Sequence, residues 1–292
     1  KNARQIIREK VAVVIELVGK YEKHVEFGIS CTALTDHLAS FEECRGPLVH
    51  NGIASSMIKH ASLDEPNAEI LEQVTRSFAQ LSQTASCCAP LVAAGVTRFL
   101  LSVCSLSEAA VRGALVHTTE ALFHLSAYEK EHAEPTGESV EGGIVRCNGI
   151  ETLLSLCSSC TDDTVCGHVA GTLGHLCSIS ASRAVLLKCG VVATLAELLA
   201  KVQAPEMLCF VCQAVAQLAS FEDMQNELLS KGVIPMMAQM LSVDSDDAIL
   251  RFTTDTFVSF SSAEDHRTYL AAHNILPKVL DASTSISEQH TQ

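Results

Sequence analysis

The sequence predicts an all-α chain, built as a stack of similar helical units. Three observations predict it. A Gly followed by Ile or Val recurs about every 42 residues, at Gly52-Ile53, Gly95-Val96, Gly149-Ile150, Gly190-Val191 and Gly232-Val233, in steps of 43, 54, 41 and 42. Self-similarity at a fixed period of this size marks helical repeats. A large apolar residue followed by a small one holds the same register. Leu38-Ala39, Leu81-Ser82, Leu176-Cys177, Leu218-Ala219 and Phe260-Ser261 each begin 14 residues before the next turn position. Finally, no segment shows the period-2 alternation of a half-buried strand.

Weaker copies of the turn, Lys10-Val11 and Asn274-Ile275, stand 42 residues outside the series on either side. The turn needs φ > 0, where Asn is a better substitute for Gly than Lys is, so the first unit is expected to be an irregular cap. Each later period reads as three helices, most clearly between 220 and 261. Residues 221–230 form a short first helix, and Gly232 turns the chain. Residues 233–241 form an apolar second helix with Pro235 in its first turn, where a missing N–H costs nothing. Ser242, Asp244, Ser245 and Asp246 make a polar break with N-cap candidates. Residues 248–261 form the third helix, with Ile249, Phe252, Phe257 and Phe260 on its buried side. The break recurs at Asp64-Glu65-Pro66-Asn67 and at 105–108, 158–163 and 203–206. Large-then-small near the end of each third helix suits close packing between neighbouring units. Residues 38–42 and 218–222 are identical, Leu-Ala-Ser-Phe-Glu.

Leu125-Ser126 departs from the register. Leu125 lies 24 residues before Gly149, which implies an insertion of about ten residues. Residues 127–142 hold five Glu and one Lys, with Pro135 and Gly137. That composition predicts a flexible acidic loop at a repeat junction, either a tolerated surface loop or a second contact for a basic partner.

A unit of about 42 residues and three helices, with a Gly-Ile/Val turn after the first helix and Leu-small near the end of the third, resembles the armadillo repeat. HEAT repeats generally have two helices and lack this glycine turn. The resemblance extends over residues 3–281. It implies a right-handed α-solenoid of about six units and a partial cap. Residues 1–292 then form a single domain with turns at 10, 52, 95, 149, 190, 232 and 274, and a disordered tail at 283–292. It is to the non-importin scaffold members, such as β-catenin and the vacuolar armadillo protein.

Composition narrows the function. Hydrophobic residues make up 48% and charged residues 18%, so much of the chain is buried; Trp is absent. A net charge of −14 disfavours a nucleic-acid backbone as partner, because phosphate binding needs clustered Lys and Arg. It also disfavours an anionic membrane, which would be reached through a lipid anchor preceding Lys1. Thirteen cysteines in a helical chain read as reduced thiols of an intracellular protein, with the cytoplasm as the expected compartment. Cys157, Cys160, Cys166 and His168 have residue types that suit zinc. Their irregular spacing, and the place of Cys157 in the apolar column of Val103, Leu198 and Met240, favour the core instead. Cys209 and Cys212 read as core in the same way. No phosphate-cradling loop, nucleophile elbow or H-E-x-x-H is present, and Gly171-Thr172-Leu173-Gly174 reads as a site of close helix packing. No enzymatic activity and no cofactor are expected.

The resemblance also implies where binding occurs. In armadillo proteins the third helices line a concave groove. Members that bind extended peptides carry an Asn before the conserved Leu, and some carry a Trp four residues earlier. Here the Asn column reads His37, Gln80, His124, His175, Gln217 and Ser259, polar throughout. The Trp column reads Ala33, Arg76, Glu120, Gly171, Gln213 and Asp255, which disfavours the import-adaptor mode. The polar column is either a solvated helix face or a ladder that pairs with an extended backbone. Its three histidines would make binding pH-sensitive between about pH 5 and 8. The mixed charges of Arg76, Glu120 and Asp255 suit a partner of both charges, or a helix. The expected function is a protein-interaction scaffold or adaptor that docks an extended or helical segment in the groove. The alternatives are a structural arc in a cytoskeletal or ciliary assembly and, more distantly, a metal- or small-molecule-sensing array.

Overall fold

The structure, a computed structural model, describes Val13 and residues 25–61, 67–106, 108–133, 139–241 and 246–281. The Lys10 cap, Asp64 to Pro66 of one break, Ser242, Asp244 and Ser245 of another, the middle of the insertion and the 283–292 tail lie outside these residues. Among the described residues every regular element is a helix. The helices gather into two compact units, residues 1–156 and 157–292.

In the first unit the elements are α1 (Val25–Ala39), α2 (Glu42–His50), α3 (Ile53–His60), α4 (Ala68–Ser82), α5 (Ala85–Ala93), α6 (Val96–Cys104) and α7 (Glu108–His132). α1, α4 and α7 are third helices, and α4 packs along α1 on one side and α7 on the other. The core lies between this row and the paired first and second helices. Phe78 of α4 is fully buried and meets Phe99 of α6 edge-on, with ring centroids 5.9 Å apart. Burying a side chain of this size contributes about 1.5–3 kcal/mol. Asn67 starts α4, its Oδ1 accepting from the amides of Glu69 and Ile70 at 3.0 and 3.1 Å. At Gly95 (φ 84°) the chain bends by 79° between α5 and α6. A left-handed residue there stops one helix and starts the next without a gap.

Among its described residues, the start of the insertion is helical. Residues 127–132 continue α7 past Ser126, the counterpart of Ser82 where α4 ends; near its start α7 is kinked at Val111 (φ −134°). Tyr128, Glu129, Lys130, Glu131 and His132 carry no helix breaker, so the helix runs on; Pro135 follows three residues later. The chain returns through a single turn at 143–148, the shortened first helix of its unit. Glu129, 2% exposed, caps that turn from α7 by accepting from the amides of Ile144 (2.8 Å) and Val145 (3.4 Å).

The turn assigned to Gly149 falls one residue earlier. Asn148 is the left-handed residue (φ 56°), and Gly149 opens α8 (Gly149–Ser159), which spans the junction of the two units. Gly149 is buried, as Val96 is in the neighbouring repeat. A Cβ at Gly149 would lie 2.6 Å from Ile144 Cγ2 and 2.9 Å from Leu101 Cδ1. The glycine is there for close approach, and Asn148 supplies the positive φ.

The second unit continues with α9 (Asp163–Cys177), α10 (Ser180–Lys188), α11 (Val191–Lys201), α12 (Pro205–Ala219), α13 (Glu222–Ser230), α14 (Val233–Gln239), α15 (Asp247–Phe260) and α16 (Glu264–Ala272). A further helical stretch, 275–281, follows Asn274 (φ 52°). Gly190 (φ 81°) and Gly232 (φ 73°) separate the first and second helices of their repeats. Asp162 caps α9 and Asp246 caps α15 through their carboxylates. Third helices α9, α12 and α15 again form the row. Gly174 lets α9 and α12 approach closely, since a Cβ there would sit 2.9 Å from Ala214 Cα.

Candidate functional site

On the third-helix row of the first unit stand His37, Gln80 and His124. His37 is exposed and meets Phe41 edge-on, with ring centroids at 5.3 Å. Gln80 is half-buried, and its Oε1 is buried with no hydrogen-bond partner. His124 Nδ1 lies 3.2 Å from Ser82 Oγ. Burial lowers the His124 pKa, against a raising influence from Glu120, so the ring stays neutral to lower pH than an ordinary histidine.

The column four residues earlier is closed by internal pairs. Arg76 of α4 donates through Nη1 to Asp36 Oδ2 of α1 at 3.3 Å and through Nη2 to Glu72 Oε1 of its own helix. Its Nε donates to His117 Nε2 of α7 at 3.2 Å. His117 is the acceptor of that bond. Its Nδ1 faces Glu120 Oε2 at 3.8 Å, and Gln83 Nε2 donates to Glu120 Oε1 at 3.4 Å. One network thus links three successive third helices. Ala33, at the same column position on α1, is exposed.

In the second unit the row carries His175, Gln217 and Ser259. His175 is only 8% exposed. Gln217 is half-buried, with its Oε1 directed at α9: a Cβ on Gly174 would stand 2.5 Å from that oxygen, which has no hydrogen-bond partner. The backbone oxygen of Ser259 accepts from Gln225 Nε2 at 3.2 Å. Of the earlier column, Gly171 is buried, Gln213 half-buried and Asp255 exposed. Arg251 lies over the Phe252 ring, with Cζ 4.6 Å from its centroid.

The zinc reading of Cys157, Cys160, Cys166 and His168 does not hold. The three cysteines are buried and free, and the Cys157 and Cys166 thiols share a hydrogen bond. That bond and burial push the Cys157 pKa well up. The Cys160 carbonyl accepts from Lys201 Nζ, and His168 faces the Phe210 ring at 6.1 Å. Among the described residues no group of three or more His, Cys, Asp or Glu is placed to hold a metal ion. Nor is any single helix among them long and apolar enough to cross a membrane. A cavity of about 520 Å³ lies between α5 and the return of the insertion, lined by Val92, Arg98, Tyr128, Glu141 and Cys147 among others.

Residues 144–178 match the family model of the Armadillo/beta-catenin-like repeat. No curated protein sequence matches the chain. Solved structures match it over most of its length. A computationally designed armadillo repeat protein for modular peptide recognition aligns at 14% identity and TM-score 0.71, covering 86% of this chain and 99% of its own. A designed armadillo repeat protein in complex with the peptide (KR)4 aligns at 15% identity and TM-score 0.71, with the same coverage. An engineered protein aligns at 18% identity and TM-score 0.73, covering 87% of this chain and 97% of its own. The chain has the fold of an armadillo-repeat solenoid.

The armadillo register also exposes a column that sequence reading passed over. Seven residues before the turns at 52, 95, 190, 232 and 274 (the turn at Asn148 has Glu141 there and lacks the feature), a first-helix position faces the end of the preceding third helix, and in four of these five repeats its side chain donates back to a carbonyl there. Arg45 Nε bonds Ala39 O (2.8 Å), Cys88 Sγ bonds Ser82 O (3.3 Å), Gln225 Nε2 bonds Ala219 O (2.8 Å) and Arg267 Nη1 bonds Ser261 O (2.9 Å). Each satisfies an orphan carbonyl, and the cationic members also suit the negative end of the helix dipole. In the remaining repeat Ser182 Oγ bonds Leu176 O, and Arg183 at the column position stacks on Phe221, 4.3 Å from its centroid. The signal was in the sequence: a donor side chain stands at 45, 88, 183, 225 and 267.

Proposed function

We propose that the protein is an adaptor whose third-helix row docks an extended or helical segment of another protein. The observation that carries this reading is the unspent hydrogen-bonding capacity of the polar column. Gln80 and Gln217 stand at the same repeat position in the two units. Each holds one amide oxygen buried without a partner. Buried polar atoms are normally paired, and those that are not call for a functional account. The column places one polar side chain per repeat, and its amide and imidazole groups can pair with the main chain of an extended segment. The designed armadillo protein bound to (KR)4 shares this fold and supports the same use of it.

The proposed activity is binding, without catalysis, in the cytoplasm. A triple variant, Gln80→Ala/His124→Ala/Gln217→Ala, tests it. Cross-linking of wild type is expected to map partner peptides onto α1, α4, α7, α9, α12 and α15, and the triple variant, with an unchanged circular dichroism spectrum, is expected to lose them. A folded variant that keeps its full partner set sinks the groove. The second reading, a structural arc contacted at its ends, draws on Leu276 and Leu280, exposed by 48% and 65% on the last helical stretch. It predicts cross-links to 275–281 instead.

A further inference from the structure

A polar network that joins three third helices of the first unit occupies the row just proposed to receive a partner. It is organised around one cation. Arg76 reaches Asp36 on α1, Glu72 on α4 and His117 on α7, so its guanidinium sits across three repeats of the row. It is not sealed in, since its side chain is 36% exposed. Around it three carboxylates, Asp36, Glu72 and Glu120, stand against the one guanidinium of Arg76, with His117 between Arg76 and Glu120.

Asp36 shows that Arg76 leaves the site incompletely satisfied. Its side chain is only 16% exposed, and Oδ1 is buried with no hydrogen-bond partner. The nearby Ser77 hydroxyl is spent on the Gln73 carbonyl at 2.9 Å. A buried carboxylate oxygen without a donor costs on the order of 1–3 kcal/mol or more, and a second cationic donor would relieve that cost. Arg76 stands one helical turn before Gln80 on α4 and is partly exposed, so its side chain lies beside the polar column where a segment would enter.

We propose that Arg76 is a resident competitor: its guanidinium fills the anionic position of the first unit's groove until a Lys or Arg of an incoming extended segment displaces it. This inference rests on the groove reading and specifies the partner's chemistry there. Docking exchanges one exposed ion pair for another and supplies Asp36 Oδ1 with its missing donor. The partner segment therefore carries basic residues spaced to sit beside the polar column, and the free protein holds its own groove closed to weakly basic segments.

A synthetic (Lys-Arg)4 peptide with a terminal fluorophore is the probe, titrated by fluorescence anisotropy into the full chain at low salt. Arg76→Ala is expected to bind about three- to tenfold more tightly than wild type, the range that removal of a partly exposed ion pair allows. Asp36→Asn and Glu120→Gln are expected to bind more weakly. Circular dichroism and the melting temperature of each variant show that it is folded. Equal or weaker binding by folded Arg76→Ala overturns the competitor, as does an absence of binding by both proteins. Gln80→Ala separates the two readings. If it weakens binding while Arg76→Ala leaves it unchanged, the groove stands and the competitor falls. If neither variant, nor Asp36→Asn, changes binding, the peptide sits elsewhere and both fall.

Discussion

Glu129 is the residue where chemistry and fold are most tightly coupled. Burial pushes its carboxyl up to about 7 from an ordinary 4.5, and the amides of Ile144 and Val145 pull only part of the way back. A raised acid binds its proton more tightly in the folded chain than in the unfolded one. Stability is therefore highest below pH 4.5 as far as this group is concerned, and it falls as pH rises from there to about 7. The full loss is on the order of 3 kcal/mol above that window. Glu129→Gln keeps an acceptor for Ile144 and removes the charge. Chemical denaturation between pH 5 and 8 is expected to show a flatter profile for the variant, which is the more stable protein at pH 8. Parallel profiles would mean that the carboxylate is solvated. Gly149 and Gly232 make a second contrast at this scale. A Cβ at Gly232 meets nothing within 4 Å, so Gly232→Ala costs only its left-handed backbone, about 1–2 kcal/mol. At Gly149 the backbone is ordinary but the Cβ meets Ile144 and Leu101, so Gly149→Ala costs about 1–3 kcal/mol through overpacking. Gly149→Asn should then be worse than alanine, while Gly232→Asn should be milder. The reverse order in melting temperature would restore Gly149 as the turn residue.

Between neighbouring elements, the recurring back-bond from first helix to third helix is the device that joins one repeat to the next. Gln225 serves two carbonyls, Ala219 O at 2.8 Å and Ser259 O at 3.2 Å. Gln225→Ala is expected to lose about 1–2 kcal/mol, because the buried carbonyls lose their donor. Gln225→Arg, the residue type of three sister repeats, is expected to recover most of it in urea denaturation. Equal stability of all three proteins would remove the column from the list of structural devices. This column also shows where sequence reading stops. The glycine turns were legible because backbone conformation demands one residue type, and the Leu-small pairs because core volume demands another. Arg, Cys and Gln meet a single carbonyl equally well, so the column has a shared role and no shared letter. Gly149-Ile150 misled in the opposite way: it repeats the letters of the other turns while Asn148 takes their conformation. In the candidate site the polar column could be read from spacing alone. The links from Arg76 to Asp36 and to His117 join residues about 40 apart and depend on side-chain reach, which no repeat alignment contains.

At the scale of the whole chain the relevant quantity is charge. A net charge of −14 is spread over 292 residues, and the network around Arg76 adds a local excess of the same sign. The two act over different distances. The long-range field steers a basic segment toward the protein and is screened by salt, with a Debye length of about 10 Å at 0.1 M. The polar column acts only after contact, through hydrogen bonds at about 3 Å that salt barely touches. Association and dissociation should therefore respond to different changes. In stopped-flow mixing with the (Lys-Arg)4 peptide, raising salt from 0.05 to 0.5 M is expected to slow association by about tenfold or more. Gln217→Ala is expected to leave that salt slope unchanged and to speed dissociation by several-fold, since a lost short-range contact appears mainly in the off-rate. An association rate that ignores salt would show that the net charge plays no part in recruitment. A Gln217→Ala variant that alters the salt slope and not the dissociation rate would show that the column does not touch the bound segment.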